Sequence, residues 1–207
     1  MPFLNDPSRI QALDFSAGEK VTLNKISVGG KLGGGFIVNG NIRVLSYDFK
    51  VSKDYYYDVN KMIVDSILQD RNHWLPLNVM FVQFWESKDR EADVHIHLLN
   101  TAQIRKKCGK SLEEMSCAIV GGNQIYLNGN NWMLGSEASK LTLNEYRKYV
   151  LTHEMCHILG YLHESCTHEN ETASIMHQQT LGGCKPNGAK LEFKDQNPPK
   201  IKTKYDI

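Results

Sequence analysis

The sequence contains no apolar run that approaches the roughly 20 residues needed to span a bilayer, so no membrane span is expected. Its formal net charge is only +1 at pH 7, which argues against the basic surface that binds nucleic acid. Residues 1–7 form neither a basic nor a hydrophobic segment, so no signal peptide is expected. No cysteine precedes Cys108, and no dense cluster of Asp and Asn indicates a calcium loop. The 207 residues suit a globular protein, expected to be a monomer.

One stretch in the last third of the chain reads His-Glu-x-x-His-x-x-Gly-x-x-His. On a helix, His153 and His157 project from one face because they are four residues apart, with Glu154 beside them. Gly160 can end such a helix in a left-handed conformation and return the chain, which brings His163 to the same place. Three neutral imidazoles with a fourth position open to water are typical of a catalytic zinc site.

A second signature, Ser-Ile-Met-His, follows at residues 174–177. With it, the chain resembles the metzincin clan of zinc endopeptidases, whose long zinc motif is followed by a tight turn that carries a methionine beneath the metal. A methionine alone would more often be an ordinary core residue. The resemblance implies a Met-turn at Met176, a general base at Glu154 and one catalytic zinc held by His153, His157 and His163.

The likeness is mixed within the clan. Glu164 after the third histidine is similar to the astacin branch, but Gln178 stands where astacins carry a tyrosine that approaches the zinc. The spacing from motif to methionine fits neither astacins nor matrix-type enzymes, so a matrix-like proteinase of an unusual lineage, such as a large DNA virus, is expected. His168 and His177 are also close in sequence, but the geometry of the motif favours His163 as the third ligand.

The resemblance implies a metalloendopeptidase that acts on a protein or peptide substrate. Zinc would lower the pKa of its bound water, and Glu154 would take that water's proton and pass it to the departing amine. A zinc-dependent exopeptidase or amidase is an alternative, which a short or closed cleft would favour. A catalytically weak binding protein on the same fold is another, which the intact glutamate disfavours.

Residues 1–40 are rich in glycine and poor in periodic pattern, which predicts an N-terminal arm or a pro-segment. Residues 41–207 are expected to form one catalytic domain, with an N-terminal subdomain over 41–163 and a C-terminal subdomain over 164–207. The order of predicted strands and helices indicates an α+β fold. The resemblance adds a zincin-like core, which is a twisted, mostly parallel sheet of about five strands with two long helices and a small irregular C-terminal part.

Periodicity places the main elements. We expect a long helix over 55–71 and strands over 41–50, 77–85 and 92–99. Residues 116–128 are expected to hold an edge strand and a last strand, followed by a turn over 128–131. Thr142 and Glu145 form a capping box that predicts the start of the helix carrying the histidines.

In the clan, an extended substrate pairs with an edge strand at the cleft. The resemblance assigns this role to Cys117, Ala118, Ile119 and Val120. The segment after the Met-turn would form a wall of the pocket for the side chain that follows the cleaved bond. Its residues are Gln178, Gln179, Thr180 and Leu181.

The five cysteines leave the redox state open. Cys108 and Cys117 flank one short segment, and Cys166 and Cys184 flank the region of residues 174–177, so two local disulfides fit the spacing. Cys156 would then stay unpaired as a small buried residue. The alternative is five reduced thiols. The location is therefore extracellular or virion-associated if the disulfides form, and otherwise intracellular.

His95 and His97 alternate on one face of the predicted third strand. Matrix-type relatives hold a second, structural zinc with histidines from this region, but further ligands are not recognisable here, so two polar-face histidines are favoured. A calcium ion has equally little support. The lysine-rich tail from Lys185 is interpreted as a solvated surface or frayed end in preference to a site for an acidic partner.

Overall fold

The structure, a computed structural model, describes residues 24–28, 31–38, 42–84, 91–194 and 196. Residues 1–23 of the predicted arm, Trp85 and most of the tail beyond residue 194 lie outside this description. The strands are β1 Asn24–Val28, β2 Lys31–Val38, β3 Ile42–Val51, β4 Val79–Gln83, β5 Val94–Leu99, β6 Cys117–Ala118 and β7 Gln124–Asn128. The helices are α1 Tyr57–Leu68, α2 Arg71–Trp74, α3 Thr101–Cys108, α4 Gly129–Leu134 and α5 Leu143–Ile158, with short 3-10 helices at Leu75–Leu77, Lys110–Leu112, Glu137–Ser139 and Gln179–Leu181.

Five strands form a mostly parallel sheet. β3 pairs in parallel with β4 and β5, β5 pairs in parallel with β7, and β6 adds antiparallel to β7 at the edge. This confirms the predicted α+β class with a mostly parallel sheet of five strands. The β1–β2 hairpin extends the same sheet through antiparallel pairing of β2 with β3. The hairpin comes from the glycine-rich region, in which no periodic pattern of apolar residues indicates a strand.

The central strands of the sheet are rich in apolar residues, and these side chains are buried in the core. Val94, Ile96 and Leu98 of β5 are fully buried, as are Leu45 and Tyr47 of β3. Burial of each large apolar side chain stabilises the fold by roughly 1.5–3 kcal/mol. Helix α5 contacts β6 and β7, so the core fixes the helix that carries the histidine motif against the edge of the sheet.

The first long helix is shorter than predicted. It ends at Leu68, and the chain turns into α2, where the Asp70 carboxylate accepts a hydrogen bond from the backbone N–H of His73. An aspartate at this position starts a new helix because it satisfies an unpaired N–H group of the first turn. The helical spacing of the apolar residues continued across this break and hid it.

The predicted turn over 128–131 is wrong, because Asn128 caps the helix α4. The Asn128 side chain accepts hydrogen bonds from the N–H groups of Asn130 and Asn131. Helix α3 was not predicted, although Asn100 and Gln103 form a capping box at its start. Asparagine favours both turns and helix starts, so composition alone does not separate them.

Helix α5 begins where predicted. Thr142 accepts from the backbone N–H of Glu145, and the Glu145 carboxylate accepts from the backbone N–H of Thr142. Every residue from Tyr149 to Ile158 is buried. A helical segment that is buried on all sides cannot show a clear amphipathic pattern, so the capping box at the start of α5 was the better signal.

Both cysteine pairs form disulfides, Cys108–Cys117 between α3 and β6 and Cys166–Cys184 around the Met-turn region. Cys156 is free and buried inside α5. Among the described residues, no helix is long and apolar enough to cross a membrane.

Candidate metal centre

Three imidazoles converge at the end of α5. The Nε2 atom of His163 lies 3.0 Å from Nε2 of His157 and 3.3 Å from Nε2 of His153. His153 and His157 are 4% and 5% exposed, whereas His163 is exposed. The structure therefore brings together the three residues that the motif singled out, each through the same ring nitrogen.

Backbone carbonyls fix the tautomers of the two buried histidines. Nδ1 of His153 lies 2.8 Å from the carbonyl oxygen of Ile175, and Nδ1 of His157 lies 2.8 Å from that of Tyr161. A carbonyl only accepts, so each Nδ1 carries the hydrogen and donates it. In the neutral rings, each Nε2 is then left with a lone pair that points at the third histidine.

Burial keeps these rings uncharged. Desolvation, with the neighbouring imidazoles, lowers the pKa of His153 to about 3, and desolvation lowers that of His157 to about 4. The pKa of His163 is lowered by desolvation as well. Neutral imidazole is the form that binds metals, so no proton has to be removed near pH 7.

Glu154 is a buried carboxyl beside the histidines. It is 4% exposed, and its Oε2 atom has no hydrogen-bond partner among the described residues. Burial raises the pKa of this group to about 8 in the metal-free protein. A buried, unpartnered carboxyl oxygen destabilises a fold, so its presence at the cleft indicates a functional demand.

Gly160 ends the helix by a Schellman motif. Its φ is +101°, its N–H donates to the carbonyl oxygen of His157, and the N–H of Tyr161 donates to that of Cys156. These are the two bonds that define the motif. The reversal returns the chain towards α5 within three residues, so that His163 reaches the other two rings.

Replacing Gly160 with Ala should lower the free energy of unfolding by about 1–2 kcal/mol, because a side chain disfavours positive φ. Urea denaturation of the metal-free protein measures this loss. Gly160→Asn should lose less, since asparagine tolerates left-handed backbone. Equal stability of all three proteins would show that the reversal does not depend on glycine.

Met176 lies in a tight turn below this end of α5. The N–H of His177 donates to the carbonyl oxygen of Ser174, and the N–H of Met176 donates to the Ser174 hydroxyl. Met176 is fully buried, and its carbonyl oxygen accepts from the N–H of Glu164. The predicted Met-turn residue therefore packs in the core and ties the chain that follows His163 to this turn.

A cavity of about 100 Å³ opens beside the three histidines. Of the eight residues predicted to bind substrate, four line it, namely Cys117, Ala118, Gln178 and Thr180. The other lining residues are Leu112, Met115, Ser116, Tyr149, Val150, His153, Glu154, His157 and His163. Apart from the histidines and Glu154, the lining carries no charged group.

The remaining four predicted residues lie elsewhere. Ile119 and Val120 are exposed and follow β6 in a turn, where the N–H of Gly121 donates to the carbonyl oxygen of His157. Leu181 is 61% exposed. Gln179 is buried, and its amide is hydrogen-bonded to Ser174, Asn187 and Gly188. The edge strand is only two residues long because the glycine turn draws the chain towards α5.

Tyr149 is a residue of the cleft that the sequence did not reveal. Its hydroxyl donates to the carbonyl oxygen of His177 and accepts from the N–H of Gln179, and its ring lies 5.6 Å from that of His153. It therefore links α5 to the segment after the Met-turn. The signal was its position one helical turn before His153, which puts it on the face of α5 that carries the histidines.

Two other groups of candidate ligands have different partners. His95 contacts Asp48, and His97 contacts Gln124, without a third ligand atom nearby among the described residues. The ring of His177 approaches Cys166 and Cys184, but the disulfide between those cysteines uses both sulfur atoms. Of the two clusters of candidate ligands among the described residues, the three histidines are the one whose ligand atoms are all available to a metal ion.

A family model described as a protein of unknown function matches residues 50–203 of the chain. The match includes the three histidines, the glutamate beside them and the turn that carries Met176. No curated protein matches the chain.

Proposed function

The chain belongs to the DUF3152 family, and from its site we propose that it is a zinc-dependent metalloendopeptidase with a metzincin-like fold. One observation carries the proposal. The Nε2 atoms of His153, His157 and His163 converge beside the buried carboxyl of Glu154, in a cleft bordered by an edge strand. This combination supports metal-assisted hydrolysis of a bond in an extended chain.

The donor set fits zinc. A tetrahedral zinc with Zn–N bonds of about 2.0–2.1 Å separates its ligand nitrogens by about 3.3–3.4 Å. The distances between the ring nitrogens, 3.0 and 3.3 Å, are close to this value. Nε2 of His163 can donate a hydrogen bond to Nε2 of only one of its two neighbours. The buried Nε2 lone pair of the other histidine then has no donor within this cluster, and a bound cation would satisfy it. When bound, zinc would activate a water molecule and polarise a carbonyl group.

Glu154 is suited to move the proton in this reaction. Its Oε2 atom has no hydrogen-bond partner among the described residues, and Glu154 lines the cavity beside the histidines. As a carboxylate it accepts a proton from the attacking water, and as a carboxylic acid it donates the proton to the amine nitrogen of the broken peptide bond. The two transfers restore the carboxylate for the next turnover.

The edge of the sheet supports an extended peptide as substrate. Among the described strands, β6 pairs with β7 alone, so its other side can pair with an added strand. Cys117 and Ala118 of this strand line the cavity, and Gln178 and Thr180 line it as well. A peptide held along β6 would place a bond near Glu154 and a side chain towards Gln178 and Thr180.

The two disulfides support an oxidising location. Such bonds persist in secreted proteins and on virion or cell surfaces. We therefore place the enzyme outside the reducing cytosol, in an extracellular or virion-associated setting.

Cleavage of a diverse peptide pool tests the proposal. The zinc-loaded protein should cut internal bonds, a chelator should abolish the cuts, and added zinc should restore them. Mass spectrometry of the products locates each cut. Removal of single terminal residues would instead favour an exopeptidase, and a folded, zinc-bound protein without any cleavage would contradict hydrolysis of peptides.

A further inference from the structure

His163 is the one histidine of the three that no helix holds. It is exposed, and it lies in a segment without regular secondary structure after Gly160. A ligand on such a segment loses conformational entropy when it binds a metal, unless other contacts already fix it. The contacts of its two neighbours in sequence are therefore informative.

Gln196 fixes the residue before His163. The backbone N–H of Leu162 donates to Oε1 of Gln196 at 2.7 Å, and Nε2 of Gln196 donates to the carbonyl oxygen of Leu162 at 2.7 Å. The side-chain amide thus pairs with both backbone groups of one residue, as a neighbouring strand would. Two such bonds set the orientation of the chain that leads into His163.

Glu164 fixes the residue after His163. Its carboxylate accepts from the backbone N–H of Lys194 at 3.1 and 3.2 Å and from Nε2 of Gln196 at 3.1 Å. Its own backbone N–H donates to the carbonyl oxygen of Met176. The third histidine is therefore held on both sides, and Gln196 contributes to both.

The segment that supplies these contacts is itself anchored. The ring of Phe193 stacks on that of Tyr161 with centroids 4.2 Å apart. Lys194 forms an ion pair with Glu171, and its Nζ donates to the carbonyl oxygen of Ser165 at 2.9 Å. Phe193, Lys194 and Gln196 therefore contact residues around the site, in contrast to the solvated or frayed end that the composition of the tail predicted.

We infer that Gln196 is a positioning residue, which holds His163 ready for the metal although it lies 33 residues further along the chain. The inference rests on the proposed function, because it assumes that the three histidines bind zinc. Loss of an outer contact of this kind typically weakens metal binding 10- to 100-fold, and we expect about 10-fold for a contact that is exposed to solvent.

The zinc affinity of Gln196→Ala, measured by competition with a chromogenic chelator, tests this inference. Gln83→Ala is the matched control, since it removes the same amide from β4, which carries no residue of the site. Gln196→Glu should bind zinc at least as weakly as Gln196→Ala, because a carboxylate would face the Leu162 carbonyl and the Glu164 carboxylate. Cobalt substitution adds a spectroscopic readout, in which the visible bands of the two Gln196 variants should shift and those of the control should not.

Melting temperatures of the metal-free proteins separate positioning from folding. The two Gln196 variants should melt near the control, since Gln196 is only half-buried and lies outside the hydrophobic core. Wild-type zinc affinity and an unchanged cobalt spectrum in both variants would overturn the role of Gln196 and leave the proposed function intact. A wild-type protein that does not bind zinc would overturn the proposed function and this inference with it.

Discussion

Glu154→Gln is expected to reduce kcat by about 10²- to 10⁴-fold, which is the usual contribution of a general acid–base group. Zinc binding should persist, because the three imidazoles that converge are untouched and the amide has nearly the shape of the carboxyl. The reason for the loss is chemical. An amide cannot accept the proton of the attacking water, and Glu154 is the one carboxylate among the described residues that line the cavity.

Turnover of a peptide identified by cleavage mapping, measured with zinc content on the same sample, checks this expectation. Glu137→Gln is the matched control, because Glu137 is an exposed carboxylate on a 3-10 helix outside the cleft. A Glu154→Gln protein with wild-type kcat would remove the glutamate from the mechanism. If zinc were lost as well, the result would point to a role of Glu154 in metal binding.

His157→Ala is expected to weaken zinc binding by more than the roughly 100-fold that marks the loss of an outer contact, because it removes a ligand itself. Activity should fall with it. The substitution leaves two converging imidazoles, and it also breaks the hydrogen bond from Nδ1 to the carbonyl oxygen of Tyr161. The return of the chain to His163 is then less well supported.

Zinc titration followed by thermal melting checks this second expectation. Zinc should raise the melting temperature of the wild-type protein, since a ligand that binds only the folded state stabilises it. The same titration should leave His157→Ala nearly unchanged. His168→Ala is the control, because His168 is exposed and is not among the three converging rings. A zinc response in His157→Ala equal to that of the control would mean that His157 is not a ligand.

The two substitutions separate two steps of the proposed mechanism. Glu154→Gln should lose turnover alone, whereas His157→Ala should lose both metal and turnover. A protein that only binds peptides on this fold would show no turnover even in the wild type, and its peptide affinity would not depend on Glu154.

Local sequence predicted the helical half of the site. The spacing of His153, Glu154 and His157 follows from the period of a helix, and Gly160 indicates where that helix must end. The capping box at Thr142 located its start. These features depend on residues close together in the chain, and each has a direct physical reason.

The other half of the site depends on tertiary contacts that no local pattern records. The amide of Gln196 and the hydroxyl of Tyr149 each bind backbone groups, which every residue offers, so their partners cannot be read from residue types. The same limit applies to the β1–β2 hairpin, since glycine-rich strands lack the alternation that identifies a strand. Helix starts at Asn100 and Asn128 were missed because asparagine is equally common in turns.

The short edge strand has a consequence for how the protein behaves in concentrated solution. A sheet with an open edge can recruit another copy of itself, and long flat edges are known sites of aggregation. Here β6 exposes the backbone of only two residues, Cys117 is tied to α3 by a disulfide, and the chain then turns away at Gly121. Such an edge offers too few backbone groups for stable pairing with a second copy of the chain, so this end of the sheet is protected from edge-to-edge association.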